Sequence, residues 1–564
     1  MALHYIKKQF CILFLSGLFL SSLSASALAV EFPDVSGEYW ARQEIDDASD
    51  YGLIQGTDTG LFLPDQRMDK ASFVSILQRM FGWTSVTPET PSFSDVTPGS
   101  WYYAAAETAR AHGVTGDSTL FQPNAYITRE DMAVMLVRAL GYEALAEDIA
   151  DNGCPFPDVT EYSGHIALAA AIGMTNGIEV NGQLLFQPGD FATRGQAAAM
   201  LLRVYERYVS KVDWLGGFYA FSSYPQIDLS SKMNSVSVGW SRLSLDETGL
   251  PWLNSTSAGG NDWVKPQGAD SAISYFQNHS IPYNLSVYAD TDKDVTLPDG
   301  TATSVLDTIL PDASLRAAAI AAITAAAPDY AGITIDMEGL KTDTQKANFT
   351  AFMTELRAAL PTNRTLFVCV PPDDWYKGYD FRALGELCDK VIYMVHDYQW
   401  VSVPDYYVGS SMGTEGGKSS PVTPFPRVYQ ALADITDPQT GVQDKSKIAL
   451  QISFGSAGFQ IDSENHLLST TIFHPAQATL AQRLLQADTV TIYDEHSRNP
   501  VTTYTGDDGA RYILWYEDAR SISDKLTLAR MFGITGVSIW RLGNIPAYDQ
   551  VPNYDVWSAV QAQR

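Results

Sequence analysis

The stretch Tyr330-Ala-Gly-Ile-Thr-Ile-Asp-Met-Glu338 constrains this chain more than any other. Side chains along a strand alternate between two faces. Ile333, Ile335 and Met337 therefore share one face, and Thr334, Asp336 and Glu338 the other. A strand buried in a parallel sheet normally reads as an unbroken apolar run. Two carboxylates at the end of such a run carry a desolvation penalty. Acid–base chemistry at the mouth of a barrel accounts for it; a structural ion pair or a loop cap is the plainer alternative. The two groups stand about 6–7 Å apart along the chain. Coupling between like charges suits Glu338 to hold a proton as a general acid, leaving Asp336 to accept a proton or bond an amide N–H.

At 564 residues the chain exceeds one ordinary domain. Its 45% hydrophobic content supports packed cores, and 18% charged residues is too few for a disordered polymer. Lys and Arg number 37 against 65 Asp and Glu, a net charge of −28. That field repels phosphate backbones and anionic lipid, which excludes nucleic acid as a partner; a neutral glycan tolerates it. Lys7 and Lys8, the apolar run from Cys11 to Leu20, and Ala27-Leu-Ala29 predict a signal peptide over residues 1–29. An uncleaved anchor is the alternative, but the run is short for a membrane span. The alanine-rich Leu315–Ala327 reads as an amphipathic helix. Cys154, Cys369 and Cys388 are too sparse for a disulfide framework, and the last two read as small buried hydrophobes.

Before residue 210 the chain repeats itself. Phe32-Pro-Asp34-Val, Phe93-Ser-Asp95-Val and Phe156-Pro-Asp158-Val open three units, placed at 30–90, 91–150 and 151–210. Each continues with a helical run, a turn (Phe62-Leu-Pro64, Phe121-Gln-Pro123, Phe186-Gln-Pro188) and a second helix opened by Met68-Asp-Lys70, Ile127-Thr-Arg129 or Ala192-Thr-Arg194. Thr128 and Thr193 suit N-caps, and Gly52, Gly113 and Gly141 suit helix ends. Such periodicity marks repeated units that share a core. From Trp214 the pattern changes. Eight candidate strands, at 216–222, 235–240, 283–288, 332–338, 365–370, 390–394, 447–454 and 536–540, alternate with helical runs. Over residues 211–564 this fits a (β/α)₈ barrel with loop insertions, its site at the strands' C-terminal ends.

The three units resemble S-layer homology domains. The resemblance implies an all-α pseudo-trimer that holds a secondary polysaccharide of a Gram-positive cell wall through Lys70, Arg129 and Arg194. An arginine at a helix start can fork onto a carboxylate. The first unit departs, with Met68-Asp69-Lys70 in place of Ile-Thr-Arg, and the third has Gly195-Gln196 in place of Ala-Glu. Gly332-Ile-Thr-Ile-Asp336-Met-Glu338 resembles the signature of glycoside hydrolase family 18. Gly217-Phe-Tyr-Ala220, Val391-Ile-Tyr-Met394-Val-His396-Asp397-Tyr398, Trp515-Tyr-Glu517-Asp518-Ala-Arg520-Ser521 and Gly536-Val-Ser-Ile-Trp540-Arg-Leu-Gly543 match further family segments in order. The likeness points to wall-lytic members that cut peptidoglycan at N-acetylglucosamine.

That resemblance implies substrate-assisted retention. Glu338 protonates the glycosidic oxygen, the substrate's acetamido oxygen attacks the anomeric carbon, and Asp336 orients the acetamide N–H. Trp540 floors the sugar subsite, Asp397 bonds the acetamido group or Asp336, and Met394 and Tyr219 complete the substrate contacts. Two residues depart from the family. Thr334 stands for an acid and can share only a hydrogen bond with Asp336. His396 stands for a tyrosine and would donate an N–H to the acetamido oxygen, adding a pH dependence. A non-catalytic glycan-binding barrel, or a purely structural surface-layer protein, is the alternative. The aromatic residues Trp252, Trp263, Trp375, Tyr376, Tyr379, Trp400, Tyr406 and Tyr407 suit sugar stacking or loop packing. Asp290-x-Asp292-x-Asp294 fails as a calcium loop at Val295 and Thr301, and no cluster has zinc spacing, so no metal or cofactor is expected.

Overall fold

The computed structural model describes residues 32–564 except 221, 294, 297–299, 373–376 and 415. The leader expected over 1–29 lies outside the described residues, as do Asp294, Trp375 and Tyr376. No helix among the described residues is long and apolar enough to cross a membrane.

The three repeats close on one another with near-threefold regularity. Asp34 accepts the backbone N–H groups of Phe62 and Leu63, Asp95 those of Phe121 and Gln122, and Asp158 those of Phe186 and Gln187, all at 2.6–2.9 Å. This explains the Phe-x-Asp-Val signature: the carboxylate pins the later turn of its own unit. A ring of backbone bonds then joins the units. Met68 donates to Ala192, Ala192 to Ile127, and Ile127 to Met68. The second helices run Lys70–Met80, Arg129–Ala139 and Arg194–Val209. Thr128 and Thr193 form capping boxes, and Asp69 does the capping in the first unit. The third unit adds a two-stranded hairpin, Ile178–Val180 with Gln183–Leu185, to the expected all-α pattern.

The barrel strands are β1 (Trp214–Tyr219), β2 (Ser235–Leu245), β3 (Tyr283–Ala289), β4 (Gly332–Met337), β5 (Thr365–Val370), β6 (Lys390–Tyr393), β7 (Ile448–Ser453) and β8 (Gly536–Trp540). All pair in parallel in chain order, and β8 pairs with β1 to close the ring. Ile333, Ile335 and Met337 of β4 face the surrounding helices in the main core. Phe218, Phe367, Cys369 and Ile392 fill the inside. Gly332 is needed where β4 starts, because a Cβ there would collide with the Thr365 backbone.

Between β7 and β8 lies a four-stranded antiparallel sheet, Ser456–Ile461, Arg511–Tyr516, Asn499–Thr505 and Val490–Asp494 in spatial order. Trp515 and Tyr516 end one of its strands, and the following helix, Ala519–Met531, opens on an Asp518 capping box. The segment that resembles one family helix is therefore a strand-to-helix junction. Glu517 anchors it, accepting from Lys525 at 2.6 Å, Ser521 at 2.6 Å and Asn499 at 2.8 Å, with the Glu517 and Lys525 side chains buried.

The repeats dock along the flank formed by helices Phe425–Ile435 and Ala519–Met531. Arg207 donates to Met531 O at 2.6 Å. The Arg498 guanidinium lies over both Tyr142 and Phe425, whose rings are 5.6 Å apart.

Candidate active site

A cavity of about 320 Å³ opens where the barrel strands end. Asp336 and Glu338 from β4, Met394, His396 and Asp397 after β6, and Trp540 from β8 line it. Phe218, Trp263, Tyr288, Cys369, Pro371 and Gln451 complete the wall. Parallel register brings Tyr288 of β3 opposite Asp336 and, one residue past the Ile335–Val368 pair, Cys369 of β5 beside it.

Asp336 is buried, and its Oδ1 has no hydrogen-bond partner among the described residues. Burial pushes its carboxyl well above the usual range and the Glu338 charge adds to this, while the Cys369 thiol and His396 pull the other way. Burial also raises Glu338; His396 opposes this, and Asp290 and Asp397 reinforce it. Such a pair shares protons rather than ionising fully at the ordinary carboxylate pH.

Asp397 adopts a left-handed backbone, φ 65°, uncommon for a residue with a side chain. Bonds from His396, Ser453 and Gln399 hold it there. His396 Nδ1 lies 2.8 Å from its Oδ2, and Ser453 Oγ donates to its Oδ1 at 3.0 Å. Burial alone would raise the Asp397 carboxyl; the His396 charge and these bonds hold it below its usual value.

Trp540 stands at the cavity wall with Phe218 edge-on at 5.3 Å and Trp263 at 6.1 Å. Trp263 stacks on Tyr288 at 4.5 Å, and its backbone is tied to Asn261, a buried side chain bonded to both its N–H and its C=O. Its place here goes beyond loop packing.

Three expectations are corrected by geometry. Thr334 does not reach the cavity. It lies one pleat below Asp336, fully buried, sharing a 2.8 Å bond with Ser237 and a 3.5 Å bond from Asn284. Tyr219 points outward from β1, edge-on to Trp240 and Phe276, and its phenol is pushed up to about 12 by burial; Phe218 takes the inward position. His396 does line the cavity, but its nitrogens face Asp397 Oδ2 and Gln451 Oε1, each at 2.8 Å. Neither is left to hold an acetamido oxygen. Gln451 and Cys369 had a signal in the sequence: polar or polarisable residues in apolar strands, on the inward phase.

In the repeats, the helix-start cations sit over aromatic rings of the next unit: Lys70 over Phe121, Arg129 over Phe186 and Arg194 over Phe62. Arg129 and Arg194 each donate Nε at 2.8 Å to the carbonyl of the same phenylalanine. Arg129 also lines a cavity of about 400 Å³ with Trp40, Gln196 and Arg203.

Residues 310–544 match the model for Glycosyl hydrolases family 18, and residues 31–74 and 92–133 match the S-layer homology domain. The cortical fragment-lytic enzyme of Bacillus anthracis is 24% identical over 245 residues, 42% of this chain and 52% of that protein. The S-layer protein sap of the same organism is 29% identical over 189 residues, 32% of this chain and 22% of that protein. The chain thus spans about half the length of the first and less of the second. Among solved structures, the Bacillus cereus spore cortex-lytic enzyme SleL aligns with a TM-score of 0.45 at 17% identity, over 70% of this chain and 81% of that one. The Chromobacterium violaceum chitinase aligns with a TM-score of 0.45 at 22% identity, over 62% of this chain and 99% of that one. The chain joins S-layer homology domains to a domain of glycosyl hydrolases family 18.

Proposed function

We propose that this protein is an exported, wall-attached glycosidase that cleaves β-1,4 bonds at N-acetylglucosamine in peptidoglycan or a chitin-like polymer. The observation that carries the reading is the inward-facing Asp336–Glu338 pair, with a buried and unpartnered Asp336 oxygen at a sugar-sized cavity. Glu338, raised by burial, is the proton donor to the glycosidic oxygen and later the base for water. The unpartnered Asp336 oxygen accepts the acetamide N–H of the substrate, turning the acetamido oxygen toward the anomeric carbon. Asp397 is the further polar contact, and the Trp540 face supports the sugar ring.

A non-catalytic glycan-binding barrel is the second reading, favoured by one observation: both His396 nitrogens are already committed. A digest of purified peptidoglycan and of chitin oligomers, read by mass spectrometry, separates the two. The hydrolase reading expects new reducing ends at N-acetylglucosamine and inhibition by a thiazoline that mimics the cyclised intermediate. Intact polymer refutes it, and turnover untouched by the thiazoline refutes acetamido participation.

The repeats attach the chain to a secondary wall polysaccharide of a Gram-positive-type bacterium, with Lys70, Arg129 and Arg194 as the cationic contacts. The Trp40–Arg129 cavity supports this, since an aromatic face beside guanidinium groups fits an anionic sugar. Replacing Arg129 and Arg194 together with Gln is expected to weaken co-sedimentation with purified walls by about tenfold or more, at one lost charge-assisted bond or more. Unchanged sedimentation by a variant with a normal melting curve would remove these residues from the contact.

A further inference from the structure

Gln451 is the one amide in β7, which otherwise reads Ile-Ala-Leu…Ile-Ser. It is 1% exposed and lies on the inward phase beside Ser538 of β8. Its Nε2 donates to Ser538 Oγ at 3.4 Å, which leaves Oε1 turned toward His396 Nε2 at 2.8 Å. On the far side of the ring, Nδ1 meets Asp397 Oδ2 at 2.8 Å, and Ser453 bonds the other Asp397 oxygen at 3.0 Å. A continuous line therefore runs Ser538–Gln451–His396–Asp397–Ser453 along the cavity floor.

The chemistry of that line is fixed by what each group can do. An amide oxygen and an ionised carboxylate oxygen are acceptors only. A neutral imidazole has one donor and one acceptor nitrogen, so it would oppose one lone pair to another here. With the amide oxygen facing Nε2 and Asp397 ionised, only the imidazolium satisfies both ends. We propose that Gln451 is a positioning residue: by accepting from Nε2 it fixes His396 as a two-way donor, and through it holds Asp397 ionised and aimed into the cavity.

The groups facing His396 are Asp397 from its own loop, Gln451 from β7, and Asp336 and Glu338 from β4. Burial disfavours the ring's charge, and Asp397, Gln451 and Glu338 outweigh it. Among the described residues, the imidazolium is then the only cation lining a cavity walled by three carboxylates. It favours the charged form of Asp397 beside Asp336 and Glu338, both of which burial raises. In this chain the ring orients a neighbouring acid rather than touching the sugar, which explains how a histidine can stand where the family has tyrosine.

The test follows the His396 ring itself. The full-length protein is labelled at histidine Cε1, and the His396 resonance is identified by its loss in His396→Phe. Titration is compared among wild type, Gln451→Leu and Gln451→Glu. Leucine removes the acceptor at similar size, and glutamate strengthens it. The midpoint is expected to fall in Gln451→Leu and to rise in Gln451→Glu. An unmoved midpoint in both variants overturns the proposal. If Gln451→Leu does not fold, Gln451→Glu decides by the same criterion.

A kinetic arm rests on the hydrolase reading above. Gln451→Leu is expected to lower kcat by about 10²-fold, the scale of a misplaced catalytic group, with a smaller change in KM. Gln451→Glu restores most of the rate; equal loss in both variants would mean a packing role only. A wild type without turnover defeats the hydrolase reading, while the titration still judges Gln451.

Discussion

Glu338→Gln is expected to lower kcat on peptidoglycan or chitin oligomers by about 10³-fold or more, within the range of general acid–base catalysis. Glutamine keeps the size of the side chain but can neither give nor take the proton. Glycan binding should be nearly unchanged and the fold retained, because Glu338 lies at the cavity mouth and is half-buried, not a packing residue. The same group sets a pH limit. An ordinary glutamate loses its proton near pH 4.3. Burial raises Glu338, so the acid form persists above that point. Wild-type hydrolysis should therefore continue into the weakly acid range and fall as pH rises through the raised value. A glutamine variant that still turns over, or a wild-type rate already lost where free glutamate ionises, would each remove Glu338 from the donor role.

Most of this arrangement is legible in the chain itself, for identifiable reasons. Most of the barrel strands stand out as short runs rich in apolar and β-branched residues between polar loops, and helix ends such as those of Arg129–Ala139 are set by the Thr128 cap and Gly141. The phase of β4 is readable because its apolar and polar residues alternate strictly. β1 gives no such phase. Gly217-Phe-Tyr-Ala220 is apolar on both sides, so Tyr219 and Phe218 cannot be told apart, and the structure turns Phe218 inward. Thr334 follows the right phase but sits too deep, which alternation does not report. The antiparallel sheet over 456–516 escapes because its edge strand Val490–Asp494 is exposed and its first strand, Ser456–Ile461, pairs non-locally with Arg511–Tyr516. Gln451 and His396 become partners only when β7 and the loop after β6 meet, 55 residues apart in sequence.

Asp336→Asn separates the role of the second carboxylate by two readouts that move in opposite senses. Asparagine cannot carry charge, so it cannot stabilise the positive character that develops on the acetamido group, and kcat should fall by about 10²-fold or more. Stability moves the other way with pH. Asp336 is raised in the folded protein, chiefly by burial and next by Glu338, above the unfolded aspartate value near 3.9. Below that value the group is protonated in both states and imposes no charge penalty on folding. As pH rises, the unfolded chain releases the proton first, so the wild type loses stability progressively up to the raised folded value. The asparagine variant has no such loss. Its melting temperature relative to wild type should therefore climb steadily from pH 4 toward neutrality, whatever constant offset the amide introduces. Curves that run parallel across that range would mean that Asp336 is ionised in the resting site, and the proton-sharing pair with Glu338 would be lost with it. A rising difference together with a deep loss of kcat identifies a carboxyl held at the expense of stability for its chemistry, as buried acids at working sites commonly are.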